Sequence, residues 1–147
     1  MYKVLIILLP IQCVPTITLT YYYGDGSYFT GSVDGEGRPS DGVFYSSKNT
    51  MTYNGSYVSG LYHGNGSWYG EGGEEYHGQF RRGEASGRGV WTNGNTGERV
   101  EGEFENGTVN GEGVLYRAGE RVRLEGVFKR GHAHGPGTVY WGGNGYR

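Results

Sequence analysis

The sequence is poor in the residues that stabilise most small globular domains. It has one cysteine, which excludes an internal disulfide framework. Aliphatic side chains are scarce, and no segment of useful length shows the apolar spacing of an amphipathic helix. The longest apolar run, Val4 to Leu9, is too short to span a bilayer. Glycine does not recur at every third position, so a collagen helix is also excluded.

Glycine and aromatic residues are abundant instead, and they recur in a fixed frame. The 147 residues include 31 glycines and 14 tyrosines. The segment Tyr53 to Trp68, YNGSYVSGLYHGNGSW, gives the frame most clearly. The leading glycines of successive copies are Gly31, Gly55, Gly78, Gly102 and Gly126. A regular period of this length predicts a repeat protein that is stabilised by contacts between neighbouring copies.

Each copy is predicted to form a β-hairpin with short strands. Residues two apart in a strand share a face. The same-face residues of the second copy are Tyr53, Gly55, Tyr57, Gly66 and Trp68. Val58 to Asn65 is predicted to connect the strands, with Gly60 and Gly64 at positive φ. Turn residues such as Gly70-Glu-Gly-Gly73 join one hairpin to the next, which predicts a continuous antiparallel sheet.

The glycines inside the strands need a reason of their own, because a strand glycine usually weakens a sheet. We predict that neighbouring rings lie over Gly78 and Gly102, where the missing side chain leaves room. One face of the sheet then carries two apolar rows, Tyr57, Phe80, Phe104 and Phe128 beside Trp68, Trp91, Leu115 and Val139. The alternate positions are mostly polar and are expected to face water.

This pattern resembles the MORN (membrane occupation and recognition nexus) repeat, approximately YxGxWxxGxxHGxGxx. The second copy matches it closely through His63-Gly64-Asn65-Gly66, and the fifth contains His134-Gly135-Pro136-Gly137. Ser86 and Asn110 replace the histidine in the third and fourth copies. The resemblance implies an all-β fold, an elongated single-layer antiparallel sheet of consecutive hairpins. It covers residues 21–147, with about five copies and a truncated sixth.

Residues 1–20 form an apolar N-terminal segment that fits two interpretations. Lys3 and the apolar run after it match a signal peptide in outline, although no A-x-A cleavage site follows. The alternation in Thr16 to Tyr23 is typical of a strand, so the segment is equally well interpreted as an extra strand. A signal peptide predicts a secreted protein. Otherwise a cytoplasmic, membrane-associated or cytoskeleton-associated location is expected.

No set of residues with catalytic or metal-binding spacing is evident. His132 and His134 offer two nitrogens but lack a third ligand at a recognisable spacing. No helix follows the glycine-rich strings, and GK[ST] is missing, so a phosphate loop is not expected. The net charge of −2 argues against nucleic acid. We therefore expect a protein that is not an enzyme and has no cofactor or metal.

Binding of a protein partner, a peptide or a helix, on the aromatic face is the leading hypothesis, as the MORN resemblance implies. The predicted contact residues are Tyr57, Trp68, Phe80, Trp91, Phe104 and Phe128. The alternative is peripheral attachment to anionic phospholipid through the basic C-terminal end. Its predicted residues are Arg117, Arg121, Arg123, Lys129 and Arg130. A weaker third hypothesis is carbohydrate binding, because choline-binding repeats are also glycine- and aromatic-rich hairpins.

Overall fold

One antiparallel sheet accounts for the described part of the chain, in a computed structural model that covers residues 4–7, 18–119 and 121–142. Twelve strands lie side by side in chain order within these ranges, and they contain no helix. The strands are β1 (Val4–Ile7), β2 (Thr18–Tyr22), β3 (Tyr28–Val33), β4 (Pro39–Tyr45), β5 (Met51–Val58), β6 (Leu61–Tyr69), β7 (Glu74–Arg81), β8 (Glu84–Asn93), β9 (Glu98–Glu105), β10 (Thr108–Arg117), β11 (Val122–Lys129) and β12 (His132–Trp141). The predicted all-β fold, a single layer of consecutive hairpins, is confirmed.

The hairpin turns are shorter than predicted. In the second copy Val58 pairs with Leu61, so the turn is only Ser59-Gly60, with φ of 54° and 76°. Positive φ at both central residues is the type I′ geometry that matches the twist of a two-residue hairpin. The predicted connection from Val58 to Asn65 is therefore wrong: most of it belongs to β6.

The second predicted turn glycine, Gly64, lies in a β-bulge. Its φ of 68° is positive, as predicted. Between the pairs Gly55–Gly66 and Tyr57–Tyr62, one residue of β5 opposes three residues of β6. Gly87, Gly111 and Gly135 occupy the equivalent position in the next three copies and also have positive φ. The glycine of the His-Gly motif therefore supports a strand irregularity that recurs once in each hairpin.

The turn residues give a direct stability prediction. Arg82 and Arg130 adopt φ of 54° and 51° in the same turn where the fourth copy has Asn106, at 50°. Asparagine tolerates this left-handed conformation better than arginine does. We expect Arg82→Asn and Arg130→Asn each to raise the free energy of unfolding by about 0.5 kcal/mol. Urea unfolding of both variants measures this, and Asn106→Arg serves as the reverse control, with an equal loss expected.

Strand glycines form a continuous row straight across the sheet. Cross-strand pairing joins each to the next, in the order Gly31, Gly42, Gly55, Gly66, Gly78, Gly89, Gly102, Gly113, Gly126 and Gly137. A Cβ added at Gly78 would lie 2.6 Å from the Gly89 Cα and 2.7 Å from the Arg88 carbonyl oxygen. The row therefore brings neighbouring backbones and rings closer than a side chain allows.

Tyrosine rings cover the glycine row in the second and third copies. The Tyr53 ring lies over Gly55 and Gly66, and its hydroxyl donates to the Ser56 carbonyl at 3.0 Å. Tyr76 covers Gly78 and Gly89 in the same way. The prediction of a ring over Gly78 is confirmed, and the ring belongs to Tyr76 of the same strand.

The prediction for Gly102 is wrong. A Cβ there would meet the backbone of Glu112 and Gly113 first, at 2.6 and 2.8 Å, and not a ring. Val100 stands two residues before Gly102, where Tyr76 precedes Gly78. An isopropyl group is too short to extend over the glycine pair, so the nearest atoms at Gly102 are backbone, and a ring, that of Phe128, lies 3.2 Å from a Cβ added at its partner Gly113.

The core is a chain of buried rings in contact along one face of the sheet, which we call the apolar face. Edge-to-face contacts have centroid distances of 5.4 Å for Phe29–Tyr57, 5.1 Å for Tyr57–Tyr53, Tyr53–Phe80 and Phe80–Tyr76, and 4.9 Å for Tyr76–Phe104. Such pairs contribute about 0.5–1.5 kcal/mol each beyond the burial of their area. Each ring links two neighbouring hairpins, so the contacts between copies stabilise the sheet.

The described sheet begins with β1 at the N-terminal end and finishes with β12 at the C-terminal end. At the N-terminal end β1 pairs with β2, Val4 opposite Tyr21. Residues 1–3 and 8–17 lie outside the described residues, as does the predicted sixth copy from residue 143, and the signal-peptide hypothesis stays a prediction. No helix among the described residues is long and apolar enough to cross a membrane.

Candidate partner-binding site

The predicted contact residues divide into two groups by exposure. The rings of Tyr57, Phe80, Phe104 and Phe128 are buried, with 3–7% of their surface exposed. Trp68 and Trp91 are half-buried and pack against these rings from the neighbouring row. The structure thus places all six on the apolar face, with the two tryptophans at its surface and the four other rings beneath.

An open groove lies on this face over the fourth and fifth copies. We call it the C-terminal groove: Trp91, Val100, Leu115, Leu124, Val139 and Trp141 line it, with Phe104 and Phe128 at one end. Its volume is about 590 Å³. Val100 and Leu124 occupy the position of Tyr53 and Tyr76 in the frame, and neither carries a ring that could cover the sheet. The change from tyrosine to aliphatic residues therefore opens the groove.

The margins of the C-terminal groove combine exposed apolar groups with an ion pair. Trp141 is 74% exposed and Val139 is 44% exposed. Glu98 and Arg117 form an ion pair at 3.2 Å at the end of the groove away from the hairpin turns. This arrangement of an apolar floor and a charged margin is typical of surfaces that bind polypeptides.

A second, smaller cavity lies on the apolar face over the first two copies. We call it the N-terminal pocket: Tyr23, Phe29, Pro39, Phe44, Tyr57, Leu61 and Tyr62 line it together with Gly60 and Gly83. Its volume is about 360 Å³. The buried hydroxyl of Tyr57 has no hydrogen-bond partner, whereas the hydroxyls of Tyr53 and Tyr76 both donate to backbone carbonyls.

The five basic residues predicted to bind lipid do not form one patch. Arg117 and Arg121 lie at the β10–β11 end of the strands, and Lys129 and Arg130 lie at the β11–β12 turn. The eight residues of β11 separate the two groups by about 25 Å. Arg123 lies on the polar face beside Tyr116 and Glu125, whereas Arg117 lines the C-terminal groove on the opposite, apolar face. The lipid hypothesis stays a prediction, and no single basic surface supports it.

Ion pairs and rings cover the polar face. The Arg123 guanidinium is 5.9 Å from the Tyr116 ring centroid and 4.9 Å from that of Tyr140, and it forms an ion pair with Glu125. Arg88 and Glu103 pair at 2.9 Å. Arg123, which the lipid hypothesis uses, is therefore already engaged by two rings and a carboxylate.

Three side chains on the polar face, Ser67, His77 and Glu75, are hydrogen-bonded in the order serine, histidine, carboxylate that a hydrolytic triad has. His77 Nδ1 lies 2.8 Å from Ser67 Oγ, and its Nε2 lies 3.4 Å from the Glu75 carboxylate. Ser67 and His77 are directly opposed in the β6–β7 register, which alone brings them together. The trio faces solvent on an open sheet, and we interpret it as cross-strand hydrogen bonding. Among the described residues, no three His, Cys, Asp or Glu side chains are grouped to hold a metal.

No protein-family model matches the chain, and none of the curated proteins searched matches it. The MORN resemblance therefore stays a prediction that rests on the repeated frame. Sequence reasoning also missed the position of the C-terminal groove. The signal was present in Val100 and Leu124, which break the tyrosine pattern at the first position of the frame.

Proposed function

We propose that this chain is a non-catalytic interaction protein of the MORN-repeat type, and that its C-terminal groove receives a segment of a partner polypeptide. The observation that carries the proposal is the open apolar groove, which is continuous with the ring core. Single exposed apolar residues are ordinary on protein surfaces, whereas a contiguous groove of them is typical of a binding site.

The groove supplies the residue types that dominate binding energies. Trp91 and Trp141 present large rings, and Leu115 and Leu124 form an aliphatic floor between them. Aromatic side chains contribute much apolar contact for little lost rotamer freedom, so they are enriched among residues that cost about 2 kcal/mol or more when truncated. Phe104 and Phe128, which are buried, close one end of this surface.

Two valines of equal exposure allow a matched test of the proposal. Val139 lines the C-terminal groove and Val127 lies on the polar face of the adjacent strand, and each is 44% exposed. We expect Val139→Glu to reduce partner capture at least tenfold, because a carboxylate in an apolar contact must lose its water. Val127→Glu keeps its charge in solvent and is expected to capture partners as the unmodified protein does.

The measurement is affinity capture with quantitative mass spectrometry, using both variants and the unmodified protein. Unfolding curves of the two variants establish that both are folded. If folded Val139→Glu retained every partner that Val127→Glu retains, the groove would not be the binding surface. The same variants in liposome flotation test the lipid alternative, which predicts no difference between them.

A further inference from the structure

The Tyr57 hydroxyl is a buried polar group without a hydrogen-bond partner in the apolar core. Tyr57 as a whole is 7% exposed. Leaving a buried donor unpaired is unfavourable, because the group has lost water and gained nothing in exchange. Phe80, Phe104 and Phe128 occupy the same position of the frame in later copies, so the fold itself does not need the oxygen. The hydroxyl is therefore a candidate for a role in binding.

The lining of the N-terminal pocket favours a ligand that is uncharged and mostly apolar. Rings and Leu61 form its walls, and none of the residues that line it carries a charge. Desolvation by burial raises the pKa of the Tyr57 hydroxyl, so the group remains a neutral donor. A suitable ligand must bring an uncharged acceptor, such as an amide carbonyl, together with apolar surface.

We propose that the N-terminal pocket binds a proline-rich segment of a partner in the polyproline II conformation, with one peptide carbonyl accepting the Tyr57 hydroxyl hydrogen bond. This rests on the proposed function, since it takes the apolar face to be a polypeptide-binding surface. A polyproline II chain has no internal hydrogen bonds, so its carbonyls are free to accept. In a helix most carbonyls are already bonded within the helix. Proline rings pack on aromatic walls and lose little conformational freedom on binding.

Because the hydroxyl is buried, contact with a ligand requires a side chain that lines the pocket to turn, and we infer that Leu61 is that side chain. Leu61 lines the pocket, follows the Ser59-Gly60 turn and is 49% exposed. Exposed side chains change rotamer on the picosecond to nanosecond scale, so this movement does not slow binding appreciably. The pocket spans the first two copies, whereas the C-terminal groove spans the fourth and fifth, so the two can be tested separately.

The test measures binding of a decaproline peptide by NMR titration, with a Gly-Ser decamer as the control peptide. We expect decaproline to bind with a dissociation constant below about 1 mM and the Gly-Ser peptide not to bind. Tyr57→Phe removes one oxygen, so we expect about fivefold weaker binding of decaproline. The same substitution should raise the melting temperature, because the unpaired hydroxyl is gone. A merely structural hydroxyl would not give these opposite effects.

Tyr76→Phe and Val139→Glu are the matched controls. Tyr76→Phe removes a hydroxyl that donates to the Gln79 carbonyl at 3.1 Å, so the melting temperature of this variant should fall. Its affinity for decaproline should stay unchanged. Absence of decaproline binding, or equal affinity in Tyr57→Phe, overturns the inference and leaves the C-terminal groove untouched. Binding that is lost in Val139→Glu but kept in Tyr57→Phe also overturns it, and would place the peptide in the C-terminal groove.

Discussion

Replacing Gly78 by alanine is expected to lower the free energy of unfolding by about 3 kcal/mol. The added Cβ would lie 2.6 Å from both the Gly89 Cα and the Tyr76 hydroxyl oxygen, and 2.7 Å from the Arg88 carbonyl oxygen. The tyrosine ring could turn away, but the two backbone atoms belong to the paired strand and can move only if the sheet opens. Urea unfolding followed by circular dichroism measures the loss.

Gly126→Ala provides the matched control in the same glycine row. There the nearest atoms to an added Cβ are the Gly137 Cα at 3.2 Å and the Pro136 carbonyl oxygen at 3.3 Å, both within reach of a small adjustment. We expect a loss of about 1 kcal/mol. Equal losses at Gly78 and Gly126 would show that glycine acts through backbone freedom alone and not through close approach.

Raising the pH from 10 to 12 is expected to unfold the protein. Desolvation by burial raises the pKa of Tyr53 and Tyr76 from the usual 10 to about 12 in each case. Above pH 10 the unfolded chain loses these protons while the folded chain keeps them, so stability falls as the pH rises. Each ring accounts for at most about 2 kcal/mol by pH 12, because the folded hydroxyl is itself half ionised there. The two together come to about 4 kcal/mol, close to the lower end of the total stability of a small domain.

Tyrosine absorbance and circular dichroism recorded across pH 9–13 test this expectation. Ionisation of the buried rings should coincide with loss of the β spectrum. Tyr76→Phe removes one of the two ionisations, so its stability should decline less steeply over the same interval although it starts lower. A protein that stays folded while both rings ionise below pH 11 would contradict the burial of these hydroxyls.

The repeated frame was enough to predict the sheet and its two faces. Strand parity placed Tyr57, Phe80, Phe104 and Phe128 together, because alternation along a strand is fixed by the backbone. The ring over Gly78 was also predictable from the gap that glycine leaves. These features depend on residues close together in one copy, which a single sequence contains.

Features that depend on the pairing register of the strands were missed. The frame alone does not show that the strand glycines pair in one row, since pairing is set by where each bulge falls. Gly64 was assigned to a turn because positive φ occurs in turns and bulges alike. The six predicted contact residues extend from Tyr57 to Phe128, and the sequence did not show that the apolar face opens where Val100 and Leu124 leave the sheet uncovered.

Photocrosslinking from the two matched valines tests the central claim most directly. Benzoylphenylalanine is placed at Val139 in the C-terminal groove or at Val127 on the polar face, and partner crosslinks are quantified after irradiation. The proposed function predicts strong crosslinking to a partner polypeptide from position 139 and only background from position 127. Equal crosslinking from both positions, or crosslinking from 127 alone, would contradict a partner-binding groove on the apolar face.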